Sequence, residues 1–145
     1  MQPYPHRYTV SAEAEGGAPI RLASAGLADL ESAPPAEFDG PGDRWSPETL
    51  LVGAVADCFV LTFRAVARNS RYAWARLRCE AEGVLDRTPE GTRFTELRVR
   101  ASLEVPPGSD AAQGERLLAR AEKGCLISSS LKAPVHLEAK VQIAE

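Results

Sequence analysis

The hydrophobic and polar positions of this chain fall into strands that alternate and one stretch that is apolar on every side. Tyr4, His6, Tyr8, Val10, Ala12 and Ala14 share one parity, and Arg7, Thr9, Ser11, Glu13 and Glu15 take the other. That pattern predicts a half-buried strand ended by Gly16-Gly17. Ile20 to Ser24 and Leu27 to Glu31 read as two further short strands bounded by turn residues. From Ser32 to Trp45 the chain holds Pro34, Pro35, Gly40, Pro41 and Gly42. This is too dense in breakers for a helix or a central strand, and predicts a loop.

Ser46-Pro47-Glu48 then opens a helix. Serine caps, proline fits the first helical position, and a carboxylate in the first turn suits the helix dipole. The helix is expected to run to about Asn69. Its apolar residues (Leu50, Leu51, Val52, Val55, Phe59, Val60, Leu61, Phe63 and Val66) go round every face. A helix of that kind must be buried on all sides. A chain this short can hardly surround a helix of roughly 20 residues and ~30 Å, so burial against a second copy, a homodimer, is expected.

Two long strands follow, Ala75 to Asp86 and Arg93 to Val105. In the first, the parity breaks near Gly83, which marks a candidate bulge. In the second, Leu97, Val99, Ala101, Leu103 and Val105 alternate with Glu96, Arg98, Arg100, Ser102 and Glu104. Pro106-Pro107-Gly108 interrupts. Ser109 is the expected cap of a helix to Lys123, with Gly124 as its stop. Cys125 to Lys132 reads as a short helical piece, and Pro134 to Ala144 as a last strand. The order β-β-β-α-β-β-α-β predicts an α+β fold with antiparallel sheet around a buried central helix.

With 145 residues, 44% hydrophobic and 26% charged, the chain is expected to form one domain, 1–145, with a real core. A net charge of −3 gives no electrostatic reason to expect nucleic acid or an anionic membrane as partner. Residues 1–10 lack the apolar core of a signal peptide, and the apolar run Leu50 to Phe63 is interrupted by Asp57 and short for a bilayer. The expected setting is cytoplasmic. Three cysteines, an odd number, do not make a disulfide framework; in a reducing compartment they are packing or chemistry.

Signatures of nucleotide binding and of zinc hydrolysis are absent, and two histidines with three scattered cysteines lack metal-ligand spacing. No metal or organic cofactor is expected. His136 falls on the solvent parity of the last strand and His6 among tyrosines, where packing is its expected role. Cys79 lies mid-strand on the parity of Leu77 and Ala81, as a core filler would. Cys58 sits in the middle of the apolar helix. Cys125 stands at the start of a helical turn, where unpaired backbone N–H groups would favour a thiolate.

Ser46-Pro47-Glu48-Thr49-Leu50-Leu51, running into Ala56-Asp57-Cys58-Phe59, resembles the osmotically inducible protein C and organic hydroperoxide resistance family (OsmC/Ohr). That family carries an S/N-P-E-x-L motif and a cysteine ten residues after the glutamate, as Cys58 follows Glu48. Its second cysteine stands in a C-P-x-S-x-x-L type motif. Cys125-Leu126-Ile127-Ser128-Ser129-Ser130-Leu131 is similar, with Leu126 in place of proline. The resemblance covers essentially the whole chain.

The resemblance implies a thiol peroxidase for organic hydroperoxides, in which Cys58 attacks the peroxide and Cys125 resolves the sulfenic acid to a disulfide. An external dithiol, lipoyl or thioredoxin-like, would reset it. It also implies an activating arginine oriented by Glu48. In the hydroperoxide resistance branch that arginine follows a double glycine, where this chain has Ala18 after Gly16-Gly17. In the osmotically inducible branch it precedes a Phe-acidic-Gly stretch, where Glu37 precedes Phe38-Asp39-Gly40. Arg44 is the preferred substitute and Arg21 the other. Glu48 and Cys58 are roughly 15 Å apart along one helix, so they could meet only across an intertwined homodimer with two composite sites. The alternative is a dimeric small-molecule binding or redox-sensing protein with little turnover.

Overall fold

The computed structural model describes residues 1–145, arranged in two compact units, 1–50 and 51–145. The first unit holds β1 (Ser11–Glu13), β2 (Ile20–Ala23) and β3 (Leu30–Ser32), an antiparallel sheet in the order β1-β2-β3. Gly16 at φ 55° and Gly26 at φ 76° turn the chain between them, in the left-handed region that glycine enters without a Cβ penalty. β1 is much shorter than the alternation from Tyr4 predicts. Tyr4, Tyr8 and Val10 are exposed, because β2 offers partners only from Ser11 to Glu13. β3 starts later than Leu27, whose N–H closes a turn onto the Ser24 carbonyl at 3.1 Å. The breaker-rich segment contains one 3-10 turn, Ala36–Phe38, and otherwise stays irregular.

α1 (Pro47–Asn69) begins with a reciprocal cap. The Thr49 N–H donates to Ser46 Oγ at 3.1 Å, and the Ser46 N–H donates to Thr49 Oγ1 at 2.8 Å. Two of the N–H groups left bare at a helix start are satisfied in this way.

The second unit contains the rest of α1, then β4 (Arg76–Thr88), β5 (Gly91–Val105), α2 (Ala111–Gly124), α3 (Leu126–Ser129) and β6 (Val135–Ile143). The sheet order is β4-β5-β6. β4 and β5 form an antiparallel hairpin with an irregularity between Val84 and Leu85, next to the glycine that the broken parity singled out. β6 lies parallel to β5, from Leu97 opposite Val135 to Val105 opposite Ile143. The fold is α+β as expected, but this sheet is mixed where an antiparallel one was expected. α2 and α3 explain the difference. They form a crossover long enough to return the chain to the end of β5 where it began, which a parallel neighbour requires.

Asp110, not Ser109, caps α2: its carboxylate accepts from the Gln113 N–H at 3.2 Å. The core joins Val55, Phe59, Phe63 and Ala67 of α1 to Leu97, Val99, Ala101, Leu103 and Val105 of β5 and Leu117, Leu118 and Ala121 of α2. The opposite parity of the sheet carries a mixed-charge ladder in which Arg100 faces Glu80, Glu82 and Glu138, and Arg98 faces Glu82 and Glu96. Within one chain α1 buries only the stripe Val55, Phe59, Phe63 and Ala67, while Leu61 stays 51% exposed. At 23 residues the helix is long and apolar enough to cross a bilayer by length and composition, longer than the apolar run alone indicates. Its buried stripe nevertheless packs on β5 and α2, as a core helix does.

Candidate active site around Cys58

Cys58 lies about two turns beyond the Leu50-Leu51 stretch of α1, on the flank of the buried stripe. It is half-buried, with a free thiol. One turn on, Thr62 donates its hydroxyl hydrogen to the Cys58 carbonyl at 2.7 Å, and Thr62 Oγ1 lies 3.8 Å from Cys58 Sγ. The α2–α3 junction comes against this stretch. A Cβ on Gly124 would stand 3.3 Å from Thr62 Cγ2, so glycine at that position lets the two backbones approach.

Cys125 follows, buried and free, in extended backbone with φ −68° and ψ 111° between α2 and α3. Its carbonyl is held three times, by the Ser129 N–H at 3.1 Å, Ser129 Oγ at 2.7 Å and Ser128 Oγ at 3.3 Å. The run of three serines thus turns inward onto the backbone and fixes the turn that starts α3.

The Cys58 thiol titrates below its ordinary value. Burial, the largest influence, pushes it up. Contacts at the sulfur, chiefly with the N–H of Ile127 and the Cys125 thiol, outweigh that. The expectation that unpaired N–H groups at the start of this turn would favour a thiolate therefore holds for a different cysteine: the groups face Cys58. Cys79 behaves in the opposite way. Burial on β4, reinforced by Cys125, pushes its thiol up to about 11, which suits the packing role read for it.

The OsmC-like protein family model matches residues 40–140, a span that contains Glu48, Cys58 and Cys125.

This chain belongs to the OsmC-like family. It is 29% identical over 112 residues to the uncharacterized protein YmaD of Bacillus subtilis, covering 75% of each chain. It is 27% identical over 93 residues to peroxiredoxin OsmC of Escherichia coli, covering 64% of each. In fold it is similar to a Legionella pneumophila protein described as an organic hydroperoxide resistance protein OsmC. That match has a TM-score of 0.75 and 24% identity, and covers 97% of this chain and 99% of the other.

The remaining OsmC-like candidates lie in the first unit. Arg44 is held by Glu31 at 2.9 Å and Asp43 at 3.0 Å. Arg21 is held by Glu13 at 2.8 Å and Asp29 at 3.2 Å. Both guanidiniums have their charge compensated by two carboxylates. Glu48, in the first turn of α1, presents an enclosed Oε2 that accepts no hydrogen bond. A bare enclosed carboxylate oxygen costs free energy that a donor would recover. His6 bonds the Gln2 carbonyl at 2.9 Å, and His136 faces Glu96 at 3.7 Å on the charged side of the sheet. The sequence pointed to the unpaired N–H groups after Gly124 but not to Cys58 as the thiol they lower.

Proposed function

We propose that this OsmC-like protein is a thiol peroxidase for organic hydroperoxides, with Cys58 as the attacking residue and Cys125 as the resolving one. What supports the reading is that the Cys125 thiol, free like Cys58, is among the groups that draw the Cys58 thiol toward its anion. The Cys58 thiolate attacks one oxygen of the peroxide O–O bond. The alkoxide leaves, takes a proton and departs as an alcohol, and Cys58 becomes a sulfenic acid. The Cys125 sulfur then attacks that sulfur, expelling water and forming the Cys58–Cys125 disulfide. A dithiol, lipoyl or thioredoxin-like, returns both to thiols and is itself oxidised to a disulfide. Exposed Leu126 and Ile127 beside the pair favour an apolar peroxide over hydrogen peroxide.

The reading includes a homodimer acting as one OsmC-like domain per chain. In one chain α1 leaves Leu61 exposed and Leu50, Leu51, Val52, Val60 and Val66 only partly covered, which supports burial against a second copy, and the bare Glu48 oxygen is an acceptor still lacking a donor. The second reading, a dimeric binding or redox-sensing protein, is favoured by the pairing of Arg21 and Arg44 with carboxylates, since neither guanidinium is free to serve a thiolate. Stopped-flow oxidation of the reduced protein by cumene hydroperoxide and by hydrogen peroxide separates the two readings, with Cys58→Ser as control. Fast oxidation that prefers the organic peroxide and ends in the Cys58–Cys125 disulfide supports the peroxidase. Oxidation no faster than that of an ordinary thiol moves the assignment to sensing or binding.

A further inference from the structure

Gly124 reads along the chain as a helix stop, yet it is the last helical residue of α2 and does not take the left-handed φ that favours glycine. It is also exposed. Neither backbone conformation nor burial calls for glycine there. Beyond its own helix and chain neighbours, a Cβ at 124 would meet one atom, Thr62 Cγ2 at 3.3 Å. Carbons pack best at roughly 3.5–4.0 Å, so the contact would be crowded.

That methyl cannot turn aside. It shares its Cβ with Oγ1, which donates to the Cys58 carbonyl at 2.7 Å. In a β-branched side chain, holding one branch fixes the other. The same Oγ1 lies 3.8 Å from Cys58 Sγ. Thr62 thus touches Cys58 at both backbone and sulfur, while its methyl faces the residue that precedes Cys125.

We propose that Thr62 is a positioning residue for the cysteine pair: its clamped methyl, closing on bare Gly124, sets how near the turn carrying Cys125 comes to Cys58. This role deepens the proposed function and rests on Cys58 and Cys125 being its redox pair. A disulfide holds its two Cα atoms about 4.4–6.8 Å apart. While both cysteines are thiols, a Cβ at 124 is accommodated by the turn moving off α1. Once the disulfide closes, the turn cannot retreat, and the crowding falls on the oxidised state. Removing the Thr62 methyl removes the atom that the new Cβ would strike.

The experiment compares wild type, Gly124→Ala, Thr62→Ser and the double variant in the full chain. Each is equilibrated in buffers of graded glutathione to glutathione disulfide ratio. Glutathione disulfide takes two electrons and two protons from the thiols and leaves as two glutathione molecules. The Cys58–Cys125 disulfide is quantified by peptide mass spectrometry after the free thiols are alkylated. Gly124→Ala is expected to lower the equilibrium constant for disulfide formation by roughly fivefold or more, the effect of overpacking one contact. Thr62→Ser keeps the hydroxyl bond, and adding Gly124→Ala to it is expected to change the constant by no more than roughly twofold. Helix propensity alone predicts no loss, since alanine is the better helix former. A Gly124→Ala constant equal to wild type would overturn the role of Thr62. So would an equal loss with and without the Thr62 methyl. The absence of any Cys58–Cys125 disulfide in wild type, at every ratio, would instead overturn the pairing itself and the proposed function with it.

Discussion

Thr62 hydrogen-bonds the Cys58 carbonyl at 2.7 Å while its oxygen lies 3.8 Å from the Cys58 sulfur. One hydroxyl cannot donate twice, so it acts on the sulfur only as an acceptor. Replacing it with the near-isosteric valine removes an acceptor of the neutral thiol. Thr62→Val is expected to leave Cys58 alkylation at neutral pH as fast as in wild type or faster. A slower rate would show that the hydroxyl swings to donate to the thiolate.

Gly83 marks a place where β4 has no room for a side chain. A Cβ there would sit 2.8 Å from Phe94 Cε1 and 2.8 Å from Val52 Cγ2. Gly83→Ala is expected to destabilise the fold by about 1–3 kcal/mol, as overpacking does. Urea unfolding measures the loss. The double variant Gly83→Ala, Val52→Ala should recover part of it, because removing Val52 Cγ2 opens one of the two contacts; an additive double variant would place the strain elsewhere.

Cys79 links stability to alkaline pH. Burial and then Cys125 push its thiol up to about 11, above the ordinary range near 8.5 of an unfolded chain. The native state therefore holds this proton more tightly than the unfolded state. The resulting stabilisation is fully present below the unfolded value and is lost as pH rises toward about 11. Cys79→Ala should flatten the decline in unfolding free energy across that window. An unchanged slope would assign the decline to other groups.

The open side of α1 gives a prediction about assembly. Leu61 is 51% exposed in one chain, on a helix whose sequence is apolar all round. Sedimentation is expected to show a dimer at micromolar concentration, and Leu61→Glu a monomer with unchanged secondary structure. A wild-type monomer at that concentration would remove the composite site from the proposed function.

Short-range signals were sufficient where the determinants are local. The Ser46-Pro47 start of α1, the β4–β5 hairpin and the inward parity of β5 are all legible along the chain, because caps, turns and side-chain periodicity depend on neighbours a few residues away. Tertiary structure decided the rest. The alternation from Tyr4 to Val10 forms no strand because a strand exists only where another backbone pairs with it, and β2 stops at Ala23. β6 is parallel because α2 and α3 reverse the chain before it. Most plainly, the chain by itself assigned the unpaired N–H groups after Gly124 to Cys125, the nearest thiol in sequence. Folding turns them toward Cys58, 67 residues earlier. Hydrogen-bond donors act through space over a few ångströms, and no local pattern records which distant atom will occupy that space.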